Sequence, residues 1–237
     1  NRFVRVNQDN LGRTHMAFSN DGVSYGSSHR ILGGVYQIHH MAIHNSVFVG
    51  VYQLNSSDPS GLKGNRIYVN SGSDYPESDT FEANITHSSG ESRISRPAYG
   101  NGTWLAGYTS GVLKSTDGGE NWTPTTISHG GTACRIQANA YSTGTGTWLA
   151  VGTVGVDVNN GTAIILRSID GGTTWTTVMT GGIANGGFLS VASSNDRVWL
   201  VGGQNREVYR SINDGLNWGG PIDNIYDDTF DGNNSHY

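Results

Sequence analysis

The chain has 237 residues, 14 Lys and Arg against 19 Asp and Glu, a net charge of −5 and only 14% charged residues. Soluble domains average about 25%, and without a basic tract nucleic acid is not an expected partner. No run of about 18 apolar residues marks a membrane span, and the single cysteine, Cys134, leaves no internal disulfide and reads as a small buried thiol.

Gly, Ser, Thr and Asn dominate the rest, giving a neutral polar surface that suits an extracellular or virion-exposed protein. No cofactor is expected. Beginning at Asn1 rather than Met, the chain reads as processed, trimmed or part of something longer.

Taken in order, strand Phe3-Val4-Arg5-Val6 precedes a turn at Asn20-Asp21-Gly22-Val23-Ser24-Tyr25. Val47-Phe48-Val49-Gly50 precedes Asn70-Ser71-Gly72-Ser73-Asp74-Tyr75. Trp104-Leu105-Ala106-Gly107 and Val112-Leu113-Lys114-Ser115 lead into Ser115-Thr116-Asp117-Gly118-Gly119-Glu120-Asn121-Trp122. Trp148-Leu149-Ala150-Val151 and Ile164-Ile165-Leu166-Arg167 lead into Ser168-Ile169-Asp170-Gly171-Gly172-Thr173-Thr174-Trp175. Trp199-Leu200-Val201-Gly202 and Val208-Tyr209-Arg210 lead into Ser211-Ile212-Asn213-Asp214-Gly215-Leu216-Asn217-Trp218.

Five copies of one unit emerge. Asn20, Asn70, Asp117, Asp170 and Asn213 hold the Asp place; Gly22, Gly72, Gly119, Gly172 and Gly215 follow it; Tyr25, Tyr75, Trp122, Trp175 and Trp218 open the next strand. A short Asp or Asn side chain accepts hydrogen bonds from the backbone N–H groups after it, so the turn holds itself. The aromatic then lays a large apolar face on its neighbours. The copies stand about 43 to 53 residues apart, as does the interval from the last round to the first, so the chain spans a whole number of repeats.

Ser-x-Asp-x-Gly-x-x-Trp resembles the Asp-box, or BNR, repeat of sialidases and other β-propellers. The resemblance implies an all-β propeller of four-stranded antiparallel blades over 1–237 as a single domain, each box lying between the third and fourth strands. Asn1-Arg2-Phe3-Val4 is similar to Asp196-Arg197-Val198-Trp199. The chain therefore opens at a second strand, and five blades close if residues 222–237 supply that blade's first strand, since open edges invite aggregation. The alternative is a fragment of a six- or seven-bladed propeller.

Each blade is read as an inner strand, a Gly/Asn turn such as that in Tyr99-Gly100-Asn101-Gly102-Thr103-Trp104, a second strand, a variable loop, a third strand, the box and a fourth strand. By the family's geometry the boxes share one face and the variable loops, chiefly 52–66 and 153–162, share the other with the inter-blade segments. Variable loops on a rigid scaffold tend to carry function.

Aligned from the second-strand aromatics, Gln37, Arg93, Arg135 and Phe188 form one inner tier and His40, Arg96, Ala138 and Val191 another. With Tyr52, Asp58, Arg66, Asp157 and Arg206 of the loop face, Gln37, His40, Arg93, Arg96 and Arg135 are the candidate ligand-binding residues. A sialidase-like reading has arginines clamp a substrate carboxylate. It also needs a Tyr–Glu nucleophile pair and an acid/base Asp, which the sequence does not display, and no catalytic residue is assigned. His39, His40 and His44 do not make a metal site, because successive strand residues face opposite ways.

Three functions fit: a non-catalytic glycan-binding propeller of lectin or adhesin type; a structural or protein-interaction module such as a virion decoration, tail component or assembly factor; and a sialidase-like glycoside hydrolase. The expected partner is a glycan or a protein, with no membrane span and a place in a larger assembly open.

Overall fold

The computed structural model describes residues 3–8, 14–19, 21–25, 29–30, 37–45, 47–53, 65–70, 80–82, 84–85, 94–155, 157, 159–183 and 186–222. Among them are β-strands, one 3₁₀ turn (Gln204–Arg206) and no α-helix.

The strands form five sheets in chain order. The first holds β1 (Phe3–Gln8), β2 (Thr14–Ser19) and β3 (His29–Arg30). The second holds β4 (Gln37–His44), β5 (Val47–Gln53), β6 (Asn65–Asn70) and β7 (Thr80–Glu82). Short β8 (Asn84–Ile85) lies parallel on the outer edge of the third sheet, made of β9 (Pro97–Gly100), β10 (Thr103–Tyr108), β11 (Gly111–Ser115) and β12 (Asn121–Thr126). In the fourth, β13 (Ser128–His129) hairpins onto β14 (Thr132–Ser142), followed by β15 (Thr147–Val154), β16 (Thr162–Ser168) and β17 (Thr176–Thr180). The fifth holds β18 (Phe188–Ser193), β19 (Trp199–Gly203) and β20 (Val208–Ser211). Its outer edge is extended where Arg210 and Gly219 exchange backbone hydrogen bonds of 2.9 Å.

Burial explains the sequence pattern. β10 is buried along its whole length and β15 along nearly all of it, because a sheet packs on each face of the strand, so these strands read as near-continuous apolar runs. The innermost strands stack in series, β4 against β9, β9 against β14 and β14 against β18. Between the second and third sheets the core is built on Val49, Ile67, Trp104 and Trp122; between the third and fourth on Leu105, Ile136 and Trp148; between the fourth and fifth on Leu149, Phe188 and Trp199. Cys134 is fully buried and desolvation raises its pKa, which makes it a packing residue.

Hydrogen-bond register decides which positions correspond. Phe3 lies opposite Ser19, Phe48 opposite Asn70, Trp104 opposite Ser115, Trp148 opposite Ser168 and Trp199 opposite Ser211. One sequence expectation changes as a result. The second sheet aligns on its aromatic, Phe48, and Asn70 occupies the Ser place of its turn, not the Asp place. Letters can be slid along a strand; a ladder of backbone bonds cannot. Gly72 and Tyr75 lie outside the described residues, as do Asn20 and the expected closing segment beyond 222.

The turns are built alike. Ser115 Oγ donates to Asp117 Oδ1 at 2.7 Å and accepts from the Gly119 N–H at 3.0 Å, while the Asn121 N–H donates to Asp117 at 3.0 Å. Ser168, Asp170, Gly172 and Thr174 repeat this set, and so do Ser211, Asn213, Gly215 and Asn217. The Trp122, Trp175 and Trp218 indoles donate to the carbonyls of Gly119, Gly172 and Gly215. In the first sheet the acceptor is Asp21, not Asn20: Ser19 Oγ donates to it at 2.7 Å, and so do the N–H groups of Val23 and Ser24 at 2.8 Å. That turn is one residue shorter, with Gly22 rather than the next residue donating to Ser19 Oγ. Tyr25 carries the Arg5 guanidinium 4.8 Å over its ring.

The turns of the fourth and fifth sheets also lean on the preceding sheet. A Cβ on Gly172 would stand 2.7 Å from Leu105, and one on Gly215 3.0 Å from Leu149. Lys114 Nζ donates to Thr173 at 2.9 Å, and Arg167 makes a 2.6 Å ion pair with Asp214. Asp214 also accepts from Thr145, Thr147 and the Trp199 indole, so burial raises its pKa but these bonds and Arg167 outweigh it and leave the net pKa lowered.

Candidate binding site

At the end of the sheets opposite these turns, the inner strands share a defect. β4 slips register between Ile38 and His40, β14 between Ile136 and Ala138, and β18 between Phe188 and Ser190. Each slip inserts one extra residue, His39, Gln137 and Leu189, at the same level of the stack. Bulges re-aim side chains and terminate regular pairing.

The pairing register corrects the tiers read from sequence. Gln37 opposite Gln53 and Arg135 opposite Thr153 hold matching positions, whereas Phe188, opposite Gly203, matches Ile136 opposite Gly152. His40 opposite Val51 and Ala138 opposite Val151 also match, but their counterpart in β18 is Ser190, opposite Gly202, and not Val191. Arg93 and Asp58 lie outside the described residues. Tyr52 pairs in register with Arg66 in the second sheet, away from the fourth-sheet residues.

Two of the sequence candidates, Asp157 and Arg135, fall near one another. Asp157 sits in the β15–β16 loop, where Asn160 Nδ2 donates to it at 2.7 Å and the Asn159 N–H at 2.9 Å. These bonds hold its carboxyl below the ordinary carboxylate range, and the charge of Arg135, on β14 below, acts in the same direction. From the β19–β20 loop, Gln204 Nε2 donates to Asn159 Oδ1 at 3.0 Å, which ties the loops of the fourth and fifth sheets together. Arg206 follows in that loop, exposed, at a φ of 64°. Arg96 is on the other side of β14, exposed, with its carbonyl accepting from Asn139 Nδ2 at 3.1 Å.

Solved structures with the same arrangement are β-propellers of unrelated sequence. A YCF48 bound to D1 peptide matches with a TM-score of 0.54 at 13% identity, over 92% of this chain and 71% of its own. An ancestral GH74 enzyme gives 0.58 at 17%, over 88% of this chain, which spans 30% of that enzyme. The WD40 β-propeller domain of Doa1 gives 0.57 at 9%, over 87% and 60%. The chain is a β-propeller. No protein-family model matches it, and no curated protein is significantly similar.

The five sheets are thus blades, and the amide bridge joins the loops of blades four and five. Sequence reasoning missed Asn159 and Gln204 as neighbours, because nothing in either loop announces that it meets the other. Glu207 Oε2 is buried with no hydrogen-bond partner among the described residues. Beside it in sequence, Tyr209 donates to the Gly182 carbonyl, and its pKa is raised by desolvation and then by the Glu207 charge. Among the described residues no group of three or more His, Cys, Asp and Glu converges to hold a metal, and no helix is long and apolar enough to cross a membrane.

Proposed function

We propose that this is a non-catalytic glycan-binding propeller whose ligand is taken at the loop end of blades four and five. The observation that carries the reading is the Gln204–Asn159 bridge beside Asp157 and Arg135. Amides both donate and accept, and a fixed carboxylate accepts, which is the inventory that sugar hydroxyls pair with. Asp157, with its pKa lowered, is a placed acceptor; a hydrolase of the two-carboxylate kind needs one acid held protonated. The repeated turns support membership of the Asp-box propellers, and the neutral polar composition supports a place outside the cell or on a virion.

A protein-interaction role is the second reading. Ile169, Ile212 and Leu216 stand 70%, 69% and 53% exposed on the turns of blades four and five, and a propeller of similar fold carries a bound peptide. A broad glycan array run beside fluorogenic glycosides separates the readings. Binding without turnover, weakened about tenfold by Asn159→Ala with Gln204→Ala as two lost hydrogen bonds imply, is the expected result; no glycan bound defeats it in favour of a protein partner.

A further inference from the structure

The outer strand of each sheet has an edge free to pair with another chain, and proteins blunt such edges with charge, proline, short length or a covering segment. β3 is two residues long and contains Arg30, and β7 is three residues long and contains Glu82. β12 is covered at Asn121 and Trp122 by β8, which runs parallel to it, and further along carries Pro124, which has no N–H to offer. The edge of the fifth sheet runs through Gly219, Gly220 and Pro221. β17 has none of these devices. Trp175-Thr176-Thr177-Val178-Met179-Thr180 holds no charge, proline or glycine, is rich in β-branched residues, and ends its sheet with nothing paired beyond it among the described residues.

A second observation falls at the same place. β12 and β17 are equivalent strands, each following the tryptophan turn of its blade. Ile85 of β8 stands opposite Trp122, which is fully buried; Trp175, with no strand beside it, is partly exposed. The connection into the third sheet supplies β8 to that sheet's outer edge, whereas the connection into the fourth turns directly into the β13–β14 hairpin and leaves β17 bare. We propose that the outer edge of blade four is a docking strand for an extended segment of a protein partner, added in parallel as β8 is added to β12, with a β-branched apolar residue in register with Trp175. The segment is neutral where it pairs, since β17 offers no charge to meet one. Main-chain hydrogen bonds give such an added strand its affinity, and its side chains give it selectivity. Two β17 edges meeting about a two-fold axis would pair antiparallel, which is not the direction this chain already uses. The edge lies apart from the loop end assigned to glycans, and the proposal stands without that reading.

The test follows amide hydrogen exchange of the full, unmutated chain while a synthetic peptide of residues 80–87, which contains Asn84 and Ile85, is added. The β12 edge is already taken by the chain's own β8, so β17 is the edge left for the peptide. The expected result is exchange slowed at least about twofold across Thr176–Thr180 at about 1 mM peptide, the effect of a ligand whose Kd is no weaker than that. Amides of β12 keep their rates. Successive strand residues direct their N–H groups to opposite edges. A peptide N-methylated at Asn84 and one N-methylated at Ile85 therefore differ, one losing the effect and the other keeping it. No slowing at β17, slowing confined to β12, or equal behaviour of the two methylated peptides overturns the proposal. Amides of β17 that are already slow without peptide, in a chain that sediments as a dimer, assign the edge to a second copy and overturn it as well.

Discussion

In the four turns whose bonds are described, a single serine hydroxyl is the organising group, accepting from the glycine N–H and donating to the carboxylate or amide that gathers the following N–H groups. Ser168→Ala removes both bonds from a buried oxygen and should cost about 1 to 3 kcal/mol, read as a lower urea midpoint at an unchanged slope. The carboxylates titrate accordingly. Asp170, held by the Thr174 hydroxyl and N–H, and Asp21, held first by Ser19, both have their pKa lowered from 3.8 to about 2. A depressed folded pKa contributes stability above the unfolded value and loses it as pH falls through the folded one. Stability should thus decline between about pH 4 and 2, and Asp170→Asn should flatten part of that decline in acid titrations followed by circular dichroism. Asn213 shows that an amide can hold the place without a charge. Asp117, Asp170 and Asn213 were legible from letters because their spacing is complete. Asp21 was missed for Asn20 because the first turn is one residue short and Asp and Asn stand side by side, and only the bonds distinguish them.

Between elements, the contact that repeats is a second-strand leucine under the next blade's turn glycine, with a third-strand cation reaching the same turn. Leu105 lies opposite Lys114, and Leu149 opposite Arg167. Leu200 opposite Arg210 keeps the pairing in blade five but is 45% exposed. Leu149→Ala, at a fully buried site, should cost about 3 kcal/mol, and Leu200→Ala under about 1 kcal/mol because it already meets water; paired thermal melts of the two variants check the contrast. Asp214→Ala should cost about 3 kcal/mol or more, since it strands the mostly buried Arg167, and Asp214→Asn less, because it keeps the shape and the threonine bonds. Sequence spacing gave the leucines away as second-strand residues. It could not show Asp214 reaching into blade four, because Asp214 occupies a turn position that the other full copies fill with Gly118 and Gly171 and its partners are some fifty to seventy residues away.

At the scale of the whole molecule, the propeller was legible because its information is periodic: strand, turn and aromatic recur, and five sheets follow in that order. The end proposed to bind a ligand was less so, because it is built from what departs from the period. The turn from Ser193 to its partner Trp199 is one residue longer than the turn from Ile43 to Phe48, so counting back from the aromatics set Phe188 and Val191 one position off their true tier. The Gln204–Asn159 bridge joins loops of different length, and no spacing in the sequence announces it. The central claim is that this end binds glycans and does not cleave them. The most direct measurement is wild-type protein on an array of neutral and acidic glycans, with the same glycans incubated in solution and their products analysed. Retention of glycans with every glycan recovered intact is the predicted result; released sugar, or no retained glycan at all, would contradict the account.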